Sequence, residues 1–329
     1  MTWKLYLADC FEWMKDQESN VFVAIVTDPP YSLEEFSGEN LEKMKQGSGG
    51  IWRIPPSIGG YKRSPLPRFT VFSVEHRKVM YSFFNEWAKL AHRLLVPGGH
   101  ILIASTPIFL PIVSSAIEDA GFELRGIIVR LVQTLRGGFR PKNAEKEFED
   151  LCTMPRAHWE PWALFRKPVE KGLTIAENLR KWKAGALKRE PSGTPLPDVI
   201  LSERTPENEK RIAPHPTLKP QSFMRRVVRA VVPLEEGVVF DPFCGAGSTL
   251  AAAESLGYDS VGTEVNPEYY GMAQRAITEL SKVKADPWFF ERRVCGEGKK
   301  LELARFLFNK GQNTLTRDTL KHLHHLSIP

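Results

Sequence analysis

Val21-Phe22-Val23-Ala24-Ile25-Val26-Thr27-Asp28-Pro29-Pro30-Tyr31 decides how the rest of the chain is read. Val21 to Val26 is short, apolar and rich in β-branched residues, the signature of a strand buried on both faces. Neither Pro29 nor Pro30 can donate a backbone hydrogen bond and both fix φ, so the strand stops at Asp28. In an open α/β sheet, ligands bind beyond the carboxyl ends of the strands. A stiff Pro-Pro turn there would present the Asp28 carboxylate and the Pro29 carbonyl together, with the Tyr31 ring beside them. Two neighbouring acceptors suit a planar NH2 group on a heteroaromatic ring. Holding both hydrogens draws the nitrogen lone pair out of conjugation and makes it nucleophilic, and an aromatic side chain can stack on the ring. The simpler reading is a strand ending in an Asp-Pro turn, since both residues favour turns.

The 329 residues, 42% hydrophobic and 26% charged, suit one large α/β domain with insertions or a domain with a smaller lobe. No apolar run approaches the roughly 20 residues of a membrane span. The start, Met1-Thr2-Trp3-Lys4-Leu5, lacks the apolar stretch of a signal peptide, so a cytoplasmic location is expected. Cys10, Cys152, Cys244 and Cys295 are scattered without a CxxC pair, so zinc is not expected and the thiols should be reduced. The net charge of +6 fits a polyanionic partner, although many ordinary enzymes share it.

Trp3 to Cys10 resembles a strand with an acid, Asp9, at its end, and Phe11 to Gln17 a brief helix before the Val21 strand. Together they form a βαβ unit, which favours a parallel sheet. Ser32 to Thr70 is a long Gly/Pro-punctuated loop carrying Arg53, Lys62 and Arg63 among Trp52 and Tyr61. Its composition suits contact with phosphates and bases, or equally a solvated loop. Helical spacing returns over Glu75–Leu95 and stops at Pro97-Gly98-Gly99. His100 to Ala104 is the next strand, Ile108 to Ala120 a helix capped by Gly121, and Glu123–Thr134 and Trp162–Arg166 are further strands. The basic, glycine-rich stretch from Leu135 to Asn143 contains Arg136 and Arg140 and reads as a phosphate-facing loop. From Lys171 to Arg211 the chain is polar, with Arg180, Lys181 and Lys183 clustered. That segment reads as an inserted recognition element or as a solvated helix face.

His215-Pro216-Thr217-Leu218-Lys219-Pro220 leads into a helix from Gln221 to Val232. Gly237 to Thr249 then reads as a strand, a tight turn with Gly245 and Gly247, and a helix start, where glycines let a ligand approach the backbone. Leu250 occupies the place of the third small residue of a dinucleotide fingerprint, and no Gly-Lys-Ser/Thr is present, which disfavours NAD and ATP. Asp259 to Asn266 is another strand, ending in Glu264, and a carboxylate so placed can accept both hydroxyls of a ribose.

With these three motifs in this order, the chain resembles the DNA amino-methyltransferases that use S-adenosylmethionine, in the permuted arrangement where Asp-Pro-Pro-Tyr precedes the cofactor motif. The resemblance runs from Trp3 to Leu280. It implies a Rossmann-like, seven-stranded mixed sheet that is circularly permuted and carries an inserted DNA-recognition segment. Asp28, Pro29, Pro30 and Tyr31 match the catalytic tetrad, and Phe243, Gly245 and Gly247 the cofactor turn. Asp241 resembles the acid near the methionine amino group, Glu264 the ribose acid and Asp9 the acid near the adenine. Thr217 and Lys219 fall in the segment that helps hold the methionine end. The expected division is a catalytic half over 1–170 with the inserted loop 32–70, a target-recognition segment over 171–211, a cofactor half over 212–280, and a basic extension over 281–329.

The reaction so implied is transfer of a methyl group to the exocyclic amine of a base flipped out of double-stranded DNA. DNA contacts would come from Arg53, Lys62, Arg63, Arg136, Arg140, Arg180, Lys181 and Lys183. Adenine N6 is favoured over cytosine N4, because relatives with Ser in place of Asp28 are mostly cytosine enzymes. An RNA or protein-amide methyltransferase and a catalytically silent nucleic-acid-binding module remain as alternatives. A homodimer and a restriction endonuclease partner are left open, and the cytoplasmic location implies association with the nucleoid. No metal is called for, since the sulfonium already makes the methyl electrophilic.

Overall fold

The computed structural model describes residues 3–30, 57–58, 61–62, 74–132, 138, 140–141, 143–215 and 217–288, with backbone alone at 57–58 and 61–62. The chain divides into two units, Met1–Pro287 and Trp288–Pro329, and the sheet belongs to the first. Tyr31, Arg53, Arg63, Arg136, the Lys62 side chain and nearly all of the extension lie outside the described residues.

β2 (Phe22–Thr27) is buried at every position, as its unbroken apolar run predicts. It is central because two parallel neighbours flank it. On one side Ala24 and Ile25 pair with Val239 and Phe240 of β9 (Val238–Asp241). On the other, Val26 and Thr27 pair with Leu102 and Ile103 of β5 (Leu95–Ala104). Beyond β9 come β10 (Asp259–Glu264) and the edge strand β1 (Trp3–Leu7), both parallel. Beyond β5 come β7 (Trp159–Arg166) and β6 (Glu123–Leu131), each antiparallel to its neighbour, and then β8 (Val199–Leu201), parallel to β6. A separate two-stranded ribbon joins β3 (Ser57–Ile58) and β4 (Tyr61–Lys62).

The main sheet therefore has eight strands in the order β1-β10-β9-β2-β5-β7-β6-β8, one more than expected. The added strand comes from within 171–211, the segment read as a recognition insert. Val199, Ile200 and Leu201 are three residues between prolines and acids, too short a run to show an alternation in the sequence. They join the sheet by pairing with Val129, Arg130 and Leu131. β5 also starts earlier than its sequence suggests. β5 advances from Leu95 to His100 while β2 advances only from Phe22 to Ala24, so the surplus around Pro97-Gly98-Gly99 is absorbed as a bulge.

Helices α1 (Cys10–Lys15), α2 (Val74–Leu94) and α3 (Leu110–Asp119) pack together in one layer. The other holds α6 (Gln221–Val231), α7 (Ser248–Ser255) and α8 (Pro267–Lys282). Phe84 and Trp87 of α2 and Phe223 of α6 are essentially fully buried against the sheet, as are the strand residues Trp162, Phe165 and Phe240. Two shorter helices, α4 (Ile175–Trp182) and α5 (Glu207–Ile212), complete the described unit. No helix among the described residues is long and apolar enough to cross a membrane.

Candidate active site

Four neighbouring parallel strands, β1, β10, β9 and β2, each end in an acid or within two residues of one: Asp9, Glu264, Asp241 and Asp28 in that order across the sheet. The chain leaves β9 outward through β10 and leaves β2 outward towards β5, so the crevice of the doubly wound sheet opens between β9 and β2. Asp241 and Asp28 flank that crevice. Thr27 spans it, donating its hydroxyl to Asp241 Oδ1 at 2.7 Å, and the Thr249 hydroxyl donates to the Val26 carbonyl at 3.2 Å.

Asp241 is buried, and its Oδ1 also accepts the Phe243 backbone N–H at 3.2 Å. Burial pushes its carboxyl up to about 6, against the opposing effect of these hydrogen bonds. Glu264 is buried as well. Its Oε2 accepts the Gly245 N–H and its Oε1 the Asn266 N–H, each at 2.8 Å, while desolvation still raises its carboxyl above the usual range. Asp9 is exposed and caps α1, accepting from the Phe11 and Glu12 N–H groups at 2.9 and 3.2 Å.

The turn between β9 and α7 holds Gly245 at φ +52° and Gly247 at φ +85°, both left-handed. A Cβ on Gly245 would lie 3.4 Å from the His215 ring, so His215 of the His-Pro-Thr segment covers the turn. Burial, with the nearby Lys219 charge, lowers His215 to about 4, leaving a neutral ring edge-on to Tyr269 at 4.4 Å. Thr217 hydrogen-bonds His215 Nδ1 at 3.2 Å. Gly247 has a different reason for being glycine than ligand approach. A Cβ there would sit 2.4 Å from Ile277 Cγ1, so its bareness lets α7 pack on α8. Phe243, expected at the cofactor, sets its ring against Phe83 and Trp87, 6.2 Å from each, which anchors the turn to α2.

The structure takes Lys219 to Asp28, the first residue of the expected catalytic tetrad. Its ammonium contacts Asp28 Oδ2 and stands 3.2 Å from Glu160 Oε1. Glu160 Oε2 in turn accepts from Arg130 at 3.0 Å and from the Trp162 indole at 3.2 Å. Arg130 is fixed further by the Ser202 hydroxyl at 2.9 Å and the Glu203 carbonyl at 3.0 Å. Arg130, Glu160, Lys219 and Asp28 thus form an alternating chain of charges, with side chains 7%, 14%, 8% and 16% exposed. Sequence reading passed over Arg130 and Glu160. Their only signal was polar residues inside two otherwise apolar strand patterns, Ile127-Ile128-Val129-Arg130-Leu131 and Trp159-Glu160-Pro161-Trp162.

Three expected DNA contacts are not brought to this edge. Asn178 of α4 is buried and donates to the Pro97 carbonyl at 2.9 Å, which ties α4 to the amino end of β5. Asp28 follows Thr27, the partner of Ile103 near the other end of β5. At about 3.3 Å per residue, the two edges stand roughly 20 Å apart. Arg180, Lys181 and Lys183 therefore lie on the far side of the sheet. Lys181 pairs with Glu170 at 2.7 Å and Lys183 with Glu236 at 3.3 Å. Their clustering belongs to a solvated helix end, where basic residues meet the carbonyl-rich terminus. Arg140 is exposed.

A sequence model of the family described as DNA methylase matches residues 22–275. The chain belongs to the DNA methylase family. This methylase is an S-adenosylmethionine-dependent DNA amino-methyltransferase of the adenine-N6 or cytosine-N4 kind. It is similar to the Type II methyltransferase M.HindIII of Haemophilus influenzae, 25% identical over 292 residues covering 82% of this chain and 93% of the relative. Type II methyltransferase M2.DpnII of Streptococcus pneumoniae is 23% identical over 274 residues, covering 82% and 87%. Among solved structures, the putative DNA modification methylase TTHA0409 of Thermus thermophilus, complexed with S-adenosyl-L-methionine, superposes at TM-score 0.53 with 19% identity, over 85% of this chain and 94% of the other. The cytosine-N4-specific PvuII DNA methyltransferase gives TM-score 0.54 at 14% identity, over 85% and 92%. These structural likenesses support the Rossmann-like fold of this methylase.

Proposed function

We propose that the protein is a site-specific DNA methyltransferase that methylates the exocyclic amine of a base flipped out of the duplex, with adenine N6 as its target. The observation that carries this reading is the row of four acids along one sheet edge. The residues present suit the cofactor: two buried carboxylates at adjacent strand ends complement an ammonium and a ribose diol, and a left-handed glycine turn lies between them. S-adenosylmethionine supplies a methyl group made electrophilic by its sulfonium. Asp241 is placed to hold the amino group of its methionine part, Glu264 the ribose hydroxyls and Asp9 the adenine. Across the crevice, Asp28 and the Pro29 carbonyl accept the two hydrogens of the target amine. That fixes the nitrogen in line and leaves its lone pair directed across the crevice, and good alignment of this kind is worth roughly 7–11 kcal/mol. Unstacking the base costs a few kcal/mol, offset by hydrogen bonds and stacking in the pocket.

Asp28 supports adenine because relatives with Ser in its place are mostly cytosine enzymes. A restriction endonuclease as functional partner belongs to the same proposal, in keeping with the Type II designation of the relatives. Incubation of unmethylated duplex DNA with enzyme and cofactor, followed by mass spectrometry of the nucleosides, should yield N6-methyladenine. N4-methylcytosine in its place would overturn the base assignment, and methylation of tRNA or protein but not of DNA would overturn the substrate class.

The Asp241 assignment also predicts a pH dependence. Its carboxyl is raised to about 6, so in the free enzyme it is largely protonated below that pH. A bound ammonium favours the ionised form, so binding must then expel a proton. Affinity for S-adenosylhomocysteine should be constant above pH 6 and fall about tenfold per unit below it. Titration calorimetry from pH 5 to 8 reads this directly. Asp241→Asn should flatten the profile, and a wild-type affinity unchanged down to pH 5 would remove Asp241 from the ammonium.

A further inference from the structure

The Lys219 ammonium rests on Asp28 Oδ2, a carboxylate oxygen that the target amine needs if Asp28 is its acceptor, the reading on which this inference rests. An ammonium left there would compete with the incoming N–H and weaken the carboxylate as an acceptor. A second anion is already within reach, because Glu160 Oε1 stands 3.2 Å from the same nitrogen. Glu160 is also held for that role. Its other oxygen is fixed by Arg130 at 3.0 Å and by the Trp162 indole at 3.2 Å, which turns Oε1 towards the lysine. The carboxylate comes from β7 and the lysine from the segment before α6, so neither follows from the placement of the other.

We propose that Glu160 is a positioning residue of the methyl transfer: it takes the Lys219 ammonium when the target amine docks on Asp28, and gives it back when the product leaves. The exchange moves no proton and leaves the net charge of the buried group unchanged. Lys219 passes from one carboxylate to the other, and Asp28 keeps the N–H groups of the amine as its hydrogen-bond partners. With the crevice empty, Lys219 holds Asp28 Oδ2. With the base present, the amine replaces the ammonium and Glu160 compensates Lys219.

The test measures kcat and the KM values for cofactor and DNA in the full chain. Glu160→Gln keeps the volume and an acceptor for Arg130 but no longer offers a second anion. Its kcat should fall about 10²-fold, the loss that a small misplacement of reacting groups produces, with the cofactor KM unchanged. Adding Lys219→Met removes the ammonium that would then stay on Asp28, so the double variant should recover at least tenfold over Glu160→Gln. A merely structural Glu160 gives the opposite result, because removing two members of a buried network compounds the damage. Thermal melting of each variant confirms that the measured chains are folded, and Glu160→Asp, which keeps the anion, should retain more activity than Glu160→Gln. A wild-type kcat in Glu160→Gln, or a double variant no better than the single, overturns the proposal. Transfer persisting in Asp28→Ala removes the amine acceptor itself, and the proposal with it. Loss of transfer in Asp28→Ala beside a normal Glu160→Gln defeats the proposal alone.

Discussion

Asp28→Ala is expected to lower methyl transfer by at least roughly 10²–10³-fold, the scale set by removing one group that acts on the reacting centre, while cofactor affinity stays nearly intact. The reason is topological. Asp28 directly follows β2, whereas Asp241 and Glu264 close β9 and β10 and Asp9 lies just past β1, on the other side of the crevice. Glu264→Ala should show the converse. It removes the acceptor of the Gly245 and Asn266 N–H groups and the proposed ribose contacts, weakening S-adenosylhomocysteine binding by about 1–3 kcal/mol. Calorimetry on both variants separates the two sides. A cofactor affinity that falls as far in Asp28→Ala as in Glu264→Ala would mean that the crevice does not divide the work in this way.

The largest expected effect on stability is at Gly247. An L-residue at φ +85° is strained by about 1–2 kcal/mol. The added Cβ would also lie 2.4 Å from Ile277 Cγ1 and 3.0 Å from its Cδ1, forcing α7 and α8 apart. Gly247→Ala should therefore destabilise by about 3 kcal/mol or more, and the melting temperature should drop by roughly 4–6 °C. Gly257→Ala is the control, since Gly257 has φ +77° but nothing within 4 Å of its would-be Cβ. It should cost only the backbone strain. Equal losses at the two positions would show that helix packing is not what excludes a side chain at Gly247.

The central strands were legible in the sequence because burial on both faces leaves an unbroken apolar run, as in Phe22-Val23-Ala24-Ile25-Val26, and because an acid followed by prolines or glycines marks the ends of β2 and β9. α6 was legible from Pro220, which stands at its cap. β8 was not, because three residues carry no period and take their conformation from β6. Arg180, Lys181 and Lys183 misled for a related reason: charge clustering reports exposure but not which edge of the sheet is exposed. Arg130 and Glu160 escaped because their meaning lies in a cross-strand register that places Arg130 opposite Glu160. Lys219 was placed by its motif at the cofactor, and only the fold shows it reaching Asp28. What the sequence hides throughout is pairing between segments far apart in the chain.

The permuted strand order also bears on how the molecule is made. β2 is buried on both flanks, yet one of its neighbours is β9, so the pairing of Ile25 with Phe240 must wait until the ribosome has added more than two hundred residues. At about 5–20 residues per second, that wait is on the order of ten seconds or more. Edge strand β1 waits longer still, since its partner β10 ends at Glu264. Contacts so distant in sequence also make the final closure slow. During that interval β2, buried at every position in the finished sheet, has an open edge, the kind of surface that chaperones bind and that aggregation exploits.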